Sequence, residues 1–408
     1  MPLEGIGRSR QPGGDAKASA GQIDAPSVAL GGLPAQNRTV LLAALVLVLG
    51  SLVAWWLLAG NPDGLGYDWA ILRGAALRLR LGDPLYLDPT GARFWPGNAS
   101  LYYGPPAYAV VALPISFVSD VAARRLALVV GVGLGLVSVA LLVAPVRSRI
   151  SGRGLSLLVL GVLGAGAFIV GLIVSASSLL VLLLLAGVWT GLVRRSPVIV
   201  GVCLGTATAF RVYPAALFLA LLVARRWREL FASVATVAFW IVVGILVAGP
   251  SATEQYVRLL VNLSRVSAPN ASTLVNLLAD LGMPRGLLWA PRISSLVAGI
   301  AMLFAAGQRL GRMGSGMVLD ESERAKLLVT LGLAIAGMLF ASPLVWDHYL
   351  TALLVLVVGM MALTGRARWG LAPILFLPGW LGAIGLVLVP VAAAAQLVRR
   401  APAHRPGE

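Results

Sequence analysis

From Thr39 onward the chain alternates long apolar runs with short polar breaks, and arginine collects in the breaks. The runs cover roughly 39–59, 104–119, 126–145, 155–174, 178–193, 197–211, 213–224, 230–249, 290–308, 327–341, 349–364 and 371–397. Most approach the length of about 20 apolar residues that crosses a hydrocarbon core. They are continuous rather than alternating. In lipid, where the backbone must satisfy itself, that predicts helices. The expected fold is an all-α polytopic membrane protein with about 11–12 transmembrane helices spread over residues 39–398. One run is surplus. If Asn61 and Arg194 lie on opposite faces, the crossings between them are odd in number, yet four runs intervene; the Gly-rich stretch Gly161–Gly171 is the expected half-crossing or re-entrant pair. The short runs 197–211 and 213–224 meet at Tyr213-Pro214, which predicts helices broken at a cavity.

The polar stretches sort into tails and loops. Residues 1–38 are rich in Gly, Pro, Ala and Ser without periodicity and read as a disordered cytoplasmic tail, and 399–408 as a second tail. The first external loop is 61–106, with turn signals at Asn61-Pro62-Asp63-Gly64 and Trp95-Pro96-Gly97-Asn98. Between them Trp69, Leu72, Ala76 and Leu79 recur at helical spacing, with Arg73 and Arg80 on another face, predicting an amphipathic helix in the membrane interface. A second large external loop spans 251–289.

Composition supports the bilayer reading. The 408 residues are 59% hydrophobic and 12% charged, with a mean hydropathy of +0.89, far from soluble averages. A net charge of +16 would suit nucleic acid, but its position argues against that partner. Arg194–Arg195, Arg225–Arg228, Arg309–Lys326, Arg366–Arg368 and Arg399–Arg400 each stand at the end of an apolar run. That is the positive-inside pattern of a multi-pass plasma-membrane protein in contact with anionic membrane lipids. The scarcity of lysine (Lys17 and Lys326) beside abundant Arg, Ala and Gly suits a bacterium with a GC-rich genome. A single cysteine, Cys203 in an apolar run, supplies no disulfide framework or thiol metal site.

Ionisable groups close to a membrane are functional candidates by default. Asp68 opens the amphipathic helix; it reads either as a first-turn carboxylate serving the helix dipole or as a general base at the lipid–water boundary. Asp63, in a turn sequence, reads as a turn former. His348 lies in Ser342-Pro343-Leu344-Val345-Trp346-Asp347-His348-Tyr349 between two late runs, as a capped interfacial belt or a functional Asp-His pair. Arg211, in Arg211-Val212-Tyr213-Pro214, needs an anion, either a lipid phosphate or a structural carboxylate. No Asp-x-Asp pair, Gly-rich phosphate loop, His/Cys cluster or nucleophile elbow is present, so neither a nucleotide nor a metal cofactor is expected.

In order along the chain, Asp68, Leu81-Gly82-Asp83-Pro84-Leu85-Tyr86, Tyr102-Tyr103-Gly104-Pro105-Pro106, Arg211-Val212-Tyr213-Pro214, Arg225-Arg226-Trp227-Arg228 and Ser342-Pro343 to Trp346-Asp347-His348-Tyr349 resemble glycosyltransferase family 87. These are membrane enzymes of the GT-C class, with members among mycobacterial polyprenyl-phosphomannose-dependent mannosyltransferases. Two departures stand out. Arg211 occupies a position where the family often has Lys, and Ser175-Ala176-Ser177-Ser178 replaces a Gly-Gln-x-Asn, losing an amide contact to the sugar.

The resemblance implies a GT-C-type bundle and a periplasm-facing site. Mannose would move from a polyprenyl phosphate sugar donor to a glycolipid acceptor such as a phosphatidylinositol mannoside, with inversion and an α-1,2 linkage. It implies Asp68 as base, Arg211 and His348 at the donor phosphate, and Tyr102, Tyr103, Trp95 and Trp346 as surfaces for sugar or acceptor. Two other readings stay open: an arabinofuranosyltransferase using polyprenyl-phosphoarabinose, and a lipid or sugar transporter. The transporter reading would call for internal repeats, and the sequence shows none.

Overall fold

The computed structural model describes residues 66–87, 101–163, 165–173, 177–263, 271–313, 319–377 and 382–400. The run 39–59, both tails other than Arg399–Arg400, Asp63 and Trp95 lie outside the described residues. Among the described residues every regular element is helical. Among the described residues, four stretches are long and apolar enough to cross a membrane: Asp120–Arg149, Trp227–Ala248, Arg285–Arg312 and Glu321–Ala341. Gly152–Leu163 and Gly166–Leu172 form a bent pair, and five shorter apolar helices accompany them.

The amphipathic helix is present as α1 (Tyr67–Leu81). It starts after Gly66 and stops at Gly82, both left-handed (φ 67° and 77°). At its end the Gly82 and Asp83 amides return to the Leu79 and Arg78 carbonyls, a glycine-terminated cap. Leu72, Ala75 and Ala76 are buried, while Arg73 donates to the Val118 carbonyl (2.7 Å) and Arg80 to that of Ser116 (3.0 Å). Those carbonyls belong to, or follow, the 3-10 helix Leu113–Phe117, which itself follows α2 (Pro106–Val111).

The run 104–119 is therefore not one crossing helix. Pro106 starts α2 and Pro114 starts a tighter turn. A six-residue helix reaches only about 9 Å, against a core of about 30 Å. Composition made the run look like a span, and its prolines divide it. The break expected within Gly161–Gly171 is also present, as a 60° bend between α4 (Gly152–Leu163) and α5 (Gly166–Ile173).

α3 (Asp120–Val143) is capped by Ser119 and brings Gly131 and Gly135 against Leu172, Leu179 and Phe168. α6 (Ser178–Arg194) packs on α7 (Pro197–Phe210). The chain then turns through the 3-10 helix Tyr213–Ala216 into α8 (Leu217–Val223). α9 (Trp227–Ala248) lies on α7 and shows Phe231, Phe239 and Leu246 outward. In a membrane protein an apolar outer face meets lipid.

The described residues of the second loop are largely helical: α10 (Pro250–Leu263), α11 (Leu274–Asp280) and a short 3-10 turn at Arg285–Leu287. α12 (Trp289–Arg312) crosses α13 (Glu321–Ala341) at Gly299 and Gly337, where an added Cβ would meet the partner backbone under 3 Å away. Small residues at such crossings let backbones approach closely and gain dispersion contacts. α13 and α14 (Leu354–Thr364) form the buried centre. The run 371–397 divides into the 3-10 helix Ala367–Leu375 and α15 (Gly382–Arg400).

Candidate active site

Three chain breaks converge here: the head of α1, the end of α7 and the segment before α14. Arg211 is the C-cap of α7. Its backbone leaves the helix for an extended conformation (φ −148°, ψ 119°), because Pro214, three residues on, supplies no amide to continue the ladder. Its Nε donates to Ser177 Oγ at 2.6 Å. Its Nη2 stands 3.8 Å from Asp68 Oδ2, an ion pair too long for a hydrogen bond. The carboxylate's lone pairs are thus not committed to the guanidinium.

Asp68 sits in the first turn of α1, but the cap is Gly66 and no side chain caps the helix. Its side chain is 26% exposed. Burial raises the carboxyl above the usual range, and Arg211 draws it back down. Such a group is a better proton acceptor than a free surface carboxylate.

Around the pair stands a wall of tyrosines. Tyr108 shares a hydrogen bond with Ser177 and packs on Phe210, ring centroids 5.2 Å apart. Tyr213 stacks on Tyr349 at 4.5 Å, and both lie in the electrostatic reach of Arg211. The Tyr213 hydroxyl is buried without a partner among the described residues. His348 meets Tyr349 edge-on at 4.9 Å, is 9% exposed and also feels the Arg211 charge. Its Cβ lies beside Gly171 on α5, where an added methyl would come within 3.5 Å. Asp347 begins the same 3-10 helix, Asp347–Leu353, but its side chain is outside the described ones.

Asp68, Arg211 and His348 thus come together. Tyr102 is close but packed: 5% exposed, stacked on Tyr86 at 5.9 Å, with its hydroxyl donated to the Pro105 carbonyl. It braces the first loop instead of offering an open face. Tyr103 is partly buried on the same cluster, and Trp346 is partly buried against the main core.

Sequence reasoning missed Tyr108, Tyr213 and Tyr256 as neighbours of Arg211. Tyr256, on α10, stacks on Tyr86 at 6.4 Å and joins the second loop to the first. The available signal was a tyrosine in a polar loop or beside a helix break. Ser177, the unspecified position of Ser175-Ala176-Ser177-Ser178, carries no signal of its own in the sequence, yet it holds Arg211.

Comparison with known proteins agrees with this arrangement. The sequence model of glycosyltransferase family 87 matches residues 102–319, more than half of the chain. The polyprenol-phosphate-mannose-dependent alpha-(1-2)-phosphatidylinositol mannoside mannosyltransferase of Mycolicibacterium smegmatis is 28% identical over 184 residues, 43% of this chain and 40% of that protein. The chain therefore matches less than half the length of that curated relative. No solved structure matches. The transporter reading falls away, since the chain belongs to glycosyltransferase family 87, a family of membrane glycosyltransferases.

Proposed function

We propose that this chain transfers mannose from a polyprenyl phosphate donor to a glycolipid acceptor, a phosphatidylinositol mannoside, on the periplasmic face of a bacterial plasma membrane. The observation that carries the proposal is the pairing of Asp68 with Arg211 at the edge of a tyrosine-walled site. The name of the mycobacterial relative supports the choice of donor and acceptor.

In this mechanism Asp68 takes the proton from an acceptor hydroxyl as that oxygen attacks the anomeric carbon. The bond from the anomeric carbon to the phosphate oxygen breaks with its electron pair, and the polyprenyl phosphate leaves. One displacement inverts the anomeric centre, forming the α-1,2 linkage. Arg211 and His348 face the charge growing on the departing phosphate, where a fixed guanidinium in a water-poor site stabilises the transition state most. The donor is already activated by its phosphate, so the displacement needs no further reagent.

The test is purified protein in lipid nanodiscs with labelled polyprenyl-phosphomannose and a phosphatidylinositol mannoside acceptor. Labelled product carrying one additional mannose is the expected result. Turnover of polyprenyl-phosphoarabinose with none of the mannose donor would overturn the sugar assignment, and turnover of neither would overturn the reading.

A further inference from the structure

Far from the reacting pair, three arginines surround one groove. Arg153, Leu157, Arg366, Ala367, Arg368 and Leu371 line a cavity of about 630 Å³ between the start of α4 and the 3-10 helix Ala367–Leu375. The helical segment His348–Thr364 runs from the catalytic cluster towards it, a length of roughly 25–30 Å with its 3-10 and α-helical parts counted at their own rises.

The three guanidinium groups differ from their neighbours. Arg147 donates to the Ile150 carbonyl (2.7 Å), Arg149 to that of Ala362 (3.1 Å) and Arg324 to that of Pro145 (3.4 Å). No ion pair or hydrogen bond engages the guanidinium group of Arg153, Arg366 or Arg368 among the described residues. All three are exposed, and no carboxylate lines the groove. Like charges gathered around one opening draw an anion towards it.

The backbone brings them together by close packing. An added Cβ at Gly161 would strike the Gly370 carbonyl, and one at Gly370 would meet the Leu157–Leu158 backbone. The groove is thus a fixed feature of a tight helix crossing, with a basic rim and two leucines in its lining.

We propose that Arg153, Arg366 and Arg368 bind the phosphate of an anionic phospholipid. The planar guanidinium forks grip the phosphate oxygens, and an acyl chain lies along Leu157 and Leu371. A free phosphate shares the headgroup chemistry but leaves the leucines uncovered, which favours the lipid. A basic pocket between helices at the charged end of a bundle is a physically suited site for such a headgroup.

The test uses the full chain in neutral detergent and reads its melting temperature. Dioleoyl phosphatidylglycerol should raise it, while dioleoyl phosphatidylcholine and inorganic phosphate should not. Substituting Arg153→Gln, Arg366→Gln and Arg368→Gln together should remove more than half of the shift. Removing the same charge elsewhere, with Arg228→Gln, Arg309→Gln and Arg312→Gln, should leave it in place. If the triple variant does not fold, the single variants are compared by native mass spectrometry for retained phosphatidylglycerol, and each should lose part of it. An undiminished shift in the groove variant, undiminished lipid in the singles, or equal stabilisation by inorganic phosphate would overturn the lipid site.

Discussion

Asp68 and Arg211 lie 143 positions apart in sequence (211 minus 68) and 3.8 Å apart in space. Ser177 holds the far side of the same guanidinium at 2.6 Å. A carboxylate beside a cation that does not hydrogen-bond it keeps its lone pairs free to accept a proton from something else. That combination is what a base at an acceptor hydroxyl requires.

Asp68→Asn keeps the shape of the side chain and removes its basicity. Transfer should fall by about 100-fold or more, the usual contribution of a general base. The melting temperature should change little, because the side chain caps no helix. Near wild-type turnover of the variant would return Asp68 to a structural role.

The acid limb of the pH–rate profile should belong to Asp68. Burial sets its pKa high and Arg211 lowers it. The sign follows: as pH falls through this pKa the carboxylate takes up a proton and transfer is lost. In Arg211→Met the lowering influence is gone, so the residual activity should be lost at a higher pH than in the wild type. A limb that stays in place or moves down would separate Arg211 from the titrating group.

Arg211→Ala and His348→Ala should each lower the maximal rate more than the apparent donor affinity, since both are placed to meet charge that develops as phosphate departs. They act on the same charge, so the double variant should lose less than the sum of the two in free-energy terms. Losses confined to thermal stability, with turnover per folded molecule unchanged, would contradict this.

Ser177→Ala removes the oxygen that receives Arg211 Nε. Ser177 is a positioning residue, and its loss should cost about 1 kcal/mol, roughly a fivefold fall in rate. In an Arg211→Ala background the same change should have almost no effect. An equal penalty in both backgrounds would mean that Ser177 acts through something other than Arg211.

Transfer should continue in excess EDTA, because the first loop carries no closely spaced carboxylate pair. Loss of activity restored by magnesium or manganese would require a metal in the mechanism.

Hydropathy, arginine placement and a handful of short motifs sufficed to establish an α-helical membrane protein resembling family 87. Those signals are local, and a lipid solvent enforces them strongly. Glycine and proline marked several breaks for the same reason. The bends at Gly161–Gly171 and at Tyr213-Pro214 follow from what those residues do to their own backbone.

The run 104–119 shows where composition misleads. Its hydropathy matches a span, but Pro106 and Pro114 divide it into pieces too short to cross. Tertiary packing decided the rest. Nothing in the linear order says that Ser177 meets Arg211, that Tyr256 on the second loop stacks on Tyr86 of the first, or that Tyr102 is packed and not open. Asp68 and Arg211 were each readable as charges near a membrane, and each kept a bland alternative. Which anion Arg211 faces depends on where α1 docks against α3 and where α7 ends, and only the packing of helices distant in sequence sets both.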